Sequence, residues 1–144
     1  MSLTKSRKAL VTALRSIPDV ATAHAAKQVA MDNFHFTPPT GTRWYEVHWA
    51  PNIPVAVECG DNGEDEATGF LQVDVVVPLN KGLTQAEALV GAILTKFKTG
   101  SKFTYEGQSV MVTSCGAAPG FPVDNGYKVP VTINFQHRHS RSAP

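Results

Sequence analysis

Cysteine, long apolar runs and a surplus of either charge are all scarce in this sequence. No run approaches the roughly 18 apolar residues that a membrane-spanning helix needs, so no membrane partner is expected. Cys59 and Cys115 are the two cysteines; a disulfide framework needs more, and the count fits a reducing cytoplasm. Lys and Arg number 13 against 12 Asp and Glu, a net charge of +1. That balance exerts no global pull on nucleic acid or anionic lipid. The stretch from Met1 to Ser16 carries Lys5, Arg7 and Lys8 inside its apolar pattern. With no small-residue cleavage site after an apolar core, it is not a signal peptide.

Catalytic signatures are missing as well. There is no P-loop, no GxGxxG and no HExxH, and neither Ser109 nor Ser114 sits in a GxSxG elbow. The acidic residues Asp61, Glu64, Asp65 and Glu66 invite a calcium reading, but the glycine and glutamate spacing of an EF-hand loop is not met from Asp61. His137 and His139, with Arg138 and Arg141 nearby, lack the further ligands a metal site requires. Cys59 with His48, or Cys115 alone, would be the thiol chemistry to consider, and no local signature supports either. No catalytic residue, metal or cofactor is therefore expected, and the chain does not read as an enzyme.

What is present reads as one globular domain. The chain has 144 residues, 42% apolar and 17% charged, enough to bury a core without staples. Its organising stretch runs from Gly69 to Gly100. Leu71, Val73, Val75 and Val77 alternate with Phe70, Gln72, Asp74 and Val76, the pattern of a strand with one face on the core and one partly open. Pro78 ends it. Ala86, Leu89, Val90, Ile93, Leu94 and Phe97 then recur at helical spacing. Thr84 and Glu87 read as a capping box at the helix start, and Gly100 as its left-handed stop.

Around that unit, Ser2 to Ser16 reads as a first helix with Leu3, Leu10, Ala13, Leu14 and Ile17 along one seam. Thr22 to Met31 reads as a short helix or an extended arm. Asp32 to Gly41, with Pro38 and Pro39, is loop. Thr42 to Ala50 is an aromatic-rich strand, and Val55 to Glu58 a short edge strand. Glu58 to Glu66 holds five carboxylates and an Asp-Asn-Gly turn and reads as a solvated hairpin loop. Phe103 to Thr113 reads as a tight hairpin or a bulged strand, Ser114 to Gly126 as a Gly/Pro-rich loop, and Tyr127 to Gln136 as a closing strand. The expected fold is α+β, a mainly antiparallel sheet with two or three helices on one face. The domain is placed at residues 1–136, followed by a basic flexible tail at 137–144.

Phe34, Phe36, Trp44, Tyr45 and Trp49 fall within 16 residues. They fit either the core of the aromatic strand or a subunit-binding surface. The order Asn33-Phe34-x-Phe36-x-x-Pro39, Gly41, a Trp/Tyr strand, Gly69-x-x-Gln72-Val73-Asp74, a helix ending in Phe97, and Tyr127-x-Val129-Pro130-Val131-Thr132-Ile133 resembles the small tail-terminator (tail-completion) proteins of long-tailed phages and prophages, the group of the lambda-type terminator. The likeness covers about Leu3 to Phe135 and rests on order and spacing.

The resemblance implies a structural role in the virion tail, with assembly in the host cytoplasm. Such proteins form a homo-oligomeric ring, typically a hexamer, on the end of the tail tube. The ring stops tube polymerisation and offers a surface to the head-completion or neck protein, while DNA passes through without specific binding. Phe34, Phe36, Trp44, Tyr45 and Trp49 are then the expected subunit interface. Asp61, Glu64, Asp65 and Glu66 are expected to face the lumen, where carboxylates repel phosphate. A head-closure or neck connector is the alternative within the same class, and a small ligand- or peptide-binding α+β module the alternative outside it.

Overall fold

The computed structural model describes residues 3–52, 55–56, 60 and 64–140. Helix α1 (Leu3–Arg15) buries Leu10, Ala13 and Leu14 of its predicted seam, while Leu3 at its start is exposed. Ile17 is held extended at ψ 125°, as the residue before a proline must be, and Pro18 then opens helix α2 (Pro18–Ala25). Proline suits that first position because its missing N–H would have had no helical partner there. Lys27 adopts φ 60° and turns the chain into strand β1 (Val29–Met31). The stretch expected to be one helix or one arm is thus divided: the helix starts ahead of Thr22, and the strand follows.

The remaining elements are β2 (Trp44–Pro51), β3 (Val55–Ala56), β4 (Glu64–Val77), α3 (Thr84–Lys96), β5 (Lys102–Tyr105), β6 (Gln108–Ala117), β7 (Phe121–Val123) and β8 (Gly126–Ser140). The sheet order is β1-β2-β4-β8-β6-β5, with β3 added to β4 and β7 to β8. Only the β1–β2 pair is parallel among these pairings. The fold is α+β, as expected. Leu71, Val73, Val75 and Val77 join Val131, Ile133 and Phe135 of β8 and the buried faces of all three helices in one core. Alternation put those residues on one side, and the helices cover that side.

Four expectations change. Thr84 is the first helical residue rather than the cap: Leu83 occupies the N-cap without a side-chain bond, so the Thr84–Glu87 capping box does not form. Ser114 to Ala117 continue β6, paired to β8 past a bulge between Val112 and Ser114, instead of opening a loop. Glu64, Asp65 and Glu66 lie on β4 rather than in a hairpin loop. Residues 137–140 belong to β8 rather than to a tail, because each finds a backbone partner on β4. The Phe103 to Thr113 hairpin does form, turning on Glu106 (φ 48°) and Gly107 (φ 83°), the positive pair that a two-residue hairpin turn requires.

Candidate functional site

The aromatic window separates into two groups. Trp44 and Tyr45 are 4% and 1% exposed, so within this chain they are packed residues and offer no surface. Trp49 is half-buried and stacks on Phe135 with ring centroids 4.9 Å apart. Phe36 is half-buried, while Phe34 stands 76% exposed. Alternation in β2 explains the split only in part: Tyr45, Val47 and Trp49 turn to the helices, but Trp44 is buried on the opposite face.

Phe34 is held outward by a braced turn. Asp32 accepts the Trp49 backbone N–H at 2.9 Å and meets His48 Nδ1 at 2.9 Å. Asn33 takes φ 61°, and the Phe34 N–H returns to the Met31 carbonyl at 3.3 Å. Burial pushes the Asp32 carboxyl up, but the Trp49 N–H and His48 outweigh it, and the net shift is below the ordinary 3.8.

Beside this turn lies a groove of about 470 Å³. Its apolar lining is Val29, Met31, Phe34 and Phe36; its basic lining is Arg15, His24, Lys27 and His35. Among the described residues no carboxylate lines it. Arg15 Nε is buried with no hydrogen-bond partner among the described residues. Phe34 also borders a cavity of about 30 Å³ that reaches Val47, Trp49 and Leu71, so its ring joins the groove to the core. The basic residues of this groove carry no motif. They converge because β1, three residues long, forms the sheet edge between α2 and the Phe34 turn, and so short a strand leaves no periodicity to read.

Two polar networks hold the surroundings. Asp19 of α2 receives Arg43 Nε at 2.8 Å, Arg43 Nη2 at 3.0 Å and the Tyr45 hydroxyl at 2.5 Å. Arg43 Nη1 also donates to Gln28 at 2.6 Å. The Arg43 bonds hold the Asp19 carboxyl below its ordinary range against the opposing effect of burial. On the sheet face away from the helices, Lys128 Nζ meets Glu46 at 2.7 Å, and Gln72 donates to Asp74 at 2.8 Å. His48 Nε2 lies 3.6 Å from Asp74. Asp74 is 4% exposed and thus a satisfied structural carboxylate.

The acidic and basic segments that read as separate features meet each other. Glu66 lies opposite Arg138, Asp65 opposite His139 and Glu64 opposite Ser140; Asp61 falls outside the described residues. Directly opposed residues share a sheet face, where unlike charges attract. The segment is therefore not a bare carboxylate surface, and repulsion of phosphate no longer follows from it alone. Matching the acidic run against the basic run across β4 and β8 was the available signal. Cys115 is on β6, and burial pushes its thiol up to about 11, which leaves little thiolate at neutral pH. Cys59 lies outside the described residues. Among the described residues no group of three or more His, Cys, Asp and Glu is arranged to hold a metal ion.

Ten chains of known structure match this fold. One of them superimposes with a TM-score of 0.67 at 19% identity, over 96% of this chain and 97% of its own; at that identity the likeness speaks for the fold. No curated protein matches. The profile of the phage tail terminator proteins matches residues 7–135, from the second turn of α1 to the last core residue of β8. That span takes in the sheet, all three helices, the Phe34 turn and the basic groove, and by it the chain belongs to the phage tail terminator protein family.

Proposed function

We propose that this protein closes a phage tail: copies of it assemble as a ring, a hexamer by family resemblance, on the end of the tail tube. The ring stops further polymerisation and offers a joining surface to the head-completion or neck protein. The family match over residues 7–135 carries this reading. The role is structural and not enzymatic, exercised in the virion tail after assembly in the host cytoplasm. Exposed Phe34 and half-buried Phe36 and Trp49 supply the apolar anchors a subunit interface needs. The net charge of +1 and the paired charges on the sheet face away from the helices suit a lumen that passes DNA without gripping it.

Native mass and negative-stain images, with and without purified tail tubes, test the reading. Rings, or caps on tube ends, are expected. Binding only to the head side of the neck would move the protein to the connector class. A groove of about 470 Å³ has the size of a small-ligand site, which favours a second reading as a binding module. A chain that stays monomeric and ignores tube ends would establish that reading instead.

A further inference from the structure

Strand β1 closes one end of the sheet, and among the described residues it pairs with β2 and with no other strand. The ladder fixes which of its backbone groups are used. The Tyr45 N–H donates to the Gln28 carbonyl at 3.0 Å, and along a strand alternate residues turn their N–H and C=O to the same side. Gln28 and Ala30 therefore face β2, while Val29 and Met31 turn theirs to the open edge. The Met31 carbonyl is taken by the Phe34 N–H at 3.3 Å. The Val29 N–H and carbonyl and the Met31 N–H have no strand partner among the described residues. Such a row is the template on which a further strand pairs.

The Phe34 groove lies along that edge, since Val29 and Met31 line it. It adds apolar surface from Phe34 and Met31 and positive charge from Arg15 and Lys27. Lys27 is exposed and in no ion pair among the described residues. Arg15 Nε is buried with no hydrogen-bond partner among them. Charge of one sign with nothing to balance it calls for an anionic ligand. A nucleic acid would answer the cations, and its bases could stack on Phe34, but it has no peptide groups to pair with Val29 and Met31. A small carboxylate engages neither the backbone row nor the apolar surface. An extended peptide that bears Asp or Glu meets all three features at once.

We infer that the groove takes an extended, carboxylate-bearing segment of a neighbouring virion protein, added as a further strand on the outer edge of β1. The source of the segment rests on the assembly reading above; its chemistry rests on the groove alone. Backbone pairing to Val29 and Met31 supplies the geometry, a side chain against Phe34 the apolar contact, and a carboxylate beside Lys27 and Arg15 the selectivity.

A fluorescein-labelled peptide with blocked ends, Ser-Val-Glu-Val-Glu-Val-Ser, tests it by anisotropy on the full chain. It is expected to bind, and the same peptide with Lys in place of Glu is not. Lys27→Glu should weaken binding about tenfold or more, the usual result of like charges at an interface. Saturating peptide should slow amide exchange at Val29 and Met31 about tenfold or more, as new backbone pairing does. Val29→Pro removes an outward donor that no ladder bond uses and should abolish binding, with a thermal melt to show that the variant folds. The exchange measurement needs no variant. No binding, or binding that leaves the Val29 and Met31 amides exchanging as before, would overturn strand addition. A short DNA duplex that binds more tightly than the peptide, and through Lys27, would make the groove a nucleic-acid contact instead. Purified tail tubes or neck protein should displace the peptide. Displacement by neither, or by self-association of this chain alone, would overturn the neighbouring protein as the source. Rings or tube caps seen alongside any of these failures would leave the ring reading standing. Wild-type protein that forms neither would overturn that reading without altering the peptide result.

Discussion

The Tyr45 hydroxyl donates to Asp19 Oδ2 at 2.5 Å, on the same carboxylate that Arg43 clasps through Nε and Nη2. One carboxylate therefore ties α2 to β2 and to the residue that precedes it. Tyr45→Phe removes one bond of the three and should lower stability by about 1–2 kcal/mol, read as an earlier urea midpoint. An unchanged midpoint would mean that Arg43 alone holds the helix.

Acid should loosen the same attachment. Asp19 is shifted down chiefly by its Arg43 bond. Asp32 is also shifted down, its Trp49 and His48 bonds outweighing the upward effect of burial. A carboxyl whose folded pKa lies below its unfolded value stabilises the fold fully above the unfolded value, here the ordinary 3.8. That contribution is lost as pH falls through the folded values. The stability gap between wild type and Asp19→Asn should thus be constant above about pH 5 and shrink below it. A gap that persists into acid would refute the assignment.

Ile93 is fully buried on α3, in the stripe that periodicity identified. Ile93→Ala should cost about 2–5 kcal/mol. An unchanged melting temperature would show that the helix does not depend on this contact.

Gly69 is a closer fit than its place in a strand suggests. A Cβ there would stand 2.6 Å from the Ala50 carbonyl oxygen, 2.7 Å from Pro51 Cα and 3.0 Å from the Phe135 ring. Backbone on one side and the Trp49–Phe135 stack on the other leave no room to yield. Gly69→Ala should destabilise by about 1–3 kcal/mol and perturb Trp49 fluorescence; a neutral substitution would mean that β2 and β4 can separate locally.

Phe34 gives the opposite expectation. With its ring 76% exposed, Phe34→Ser should leave stability within about 0.5 kcal/mol but abolish assembly on tube ends, seen by negative stain. Retained assembly would remove Phe34 from the interface.

The parts legible in the sequence were those written in repeated contacts. Val73, Val75 and Ile93 each recur with neighbours at a fixed period, so face and partner follow. Trp44 defeated the same reasoning, because a strand's alternation says which face a residue takes and not whether that face is covered. The Thr84 cap failed for a local reason: the helix begins one residue earlier than a Thr cap needs, leaving Leu83 at the boundary. Arg15, His24 and Lys27 were unreadable as a group, since tertiary convergence around a three-residue strand brings them together. Glu66 and Arg138 are 72 positions apart in sequence yet directly opposed in space, and only strand pairing connects them.

β8 lies between β4 and β6 and also carries β7, although it follows all three in chain order. A ribosome therefore releases two unfinished half-sheets before it releases the strand that joins them. Until Gly126–Ser140 emerges, the β4 and β6 edges have nothing to bridge them. The sheet is therefore continuous only when β8 is paired along both of its edges.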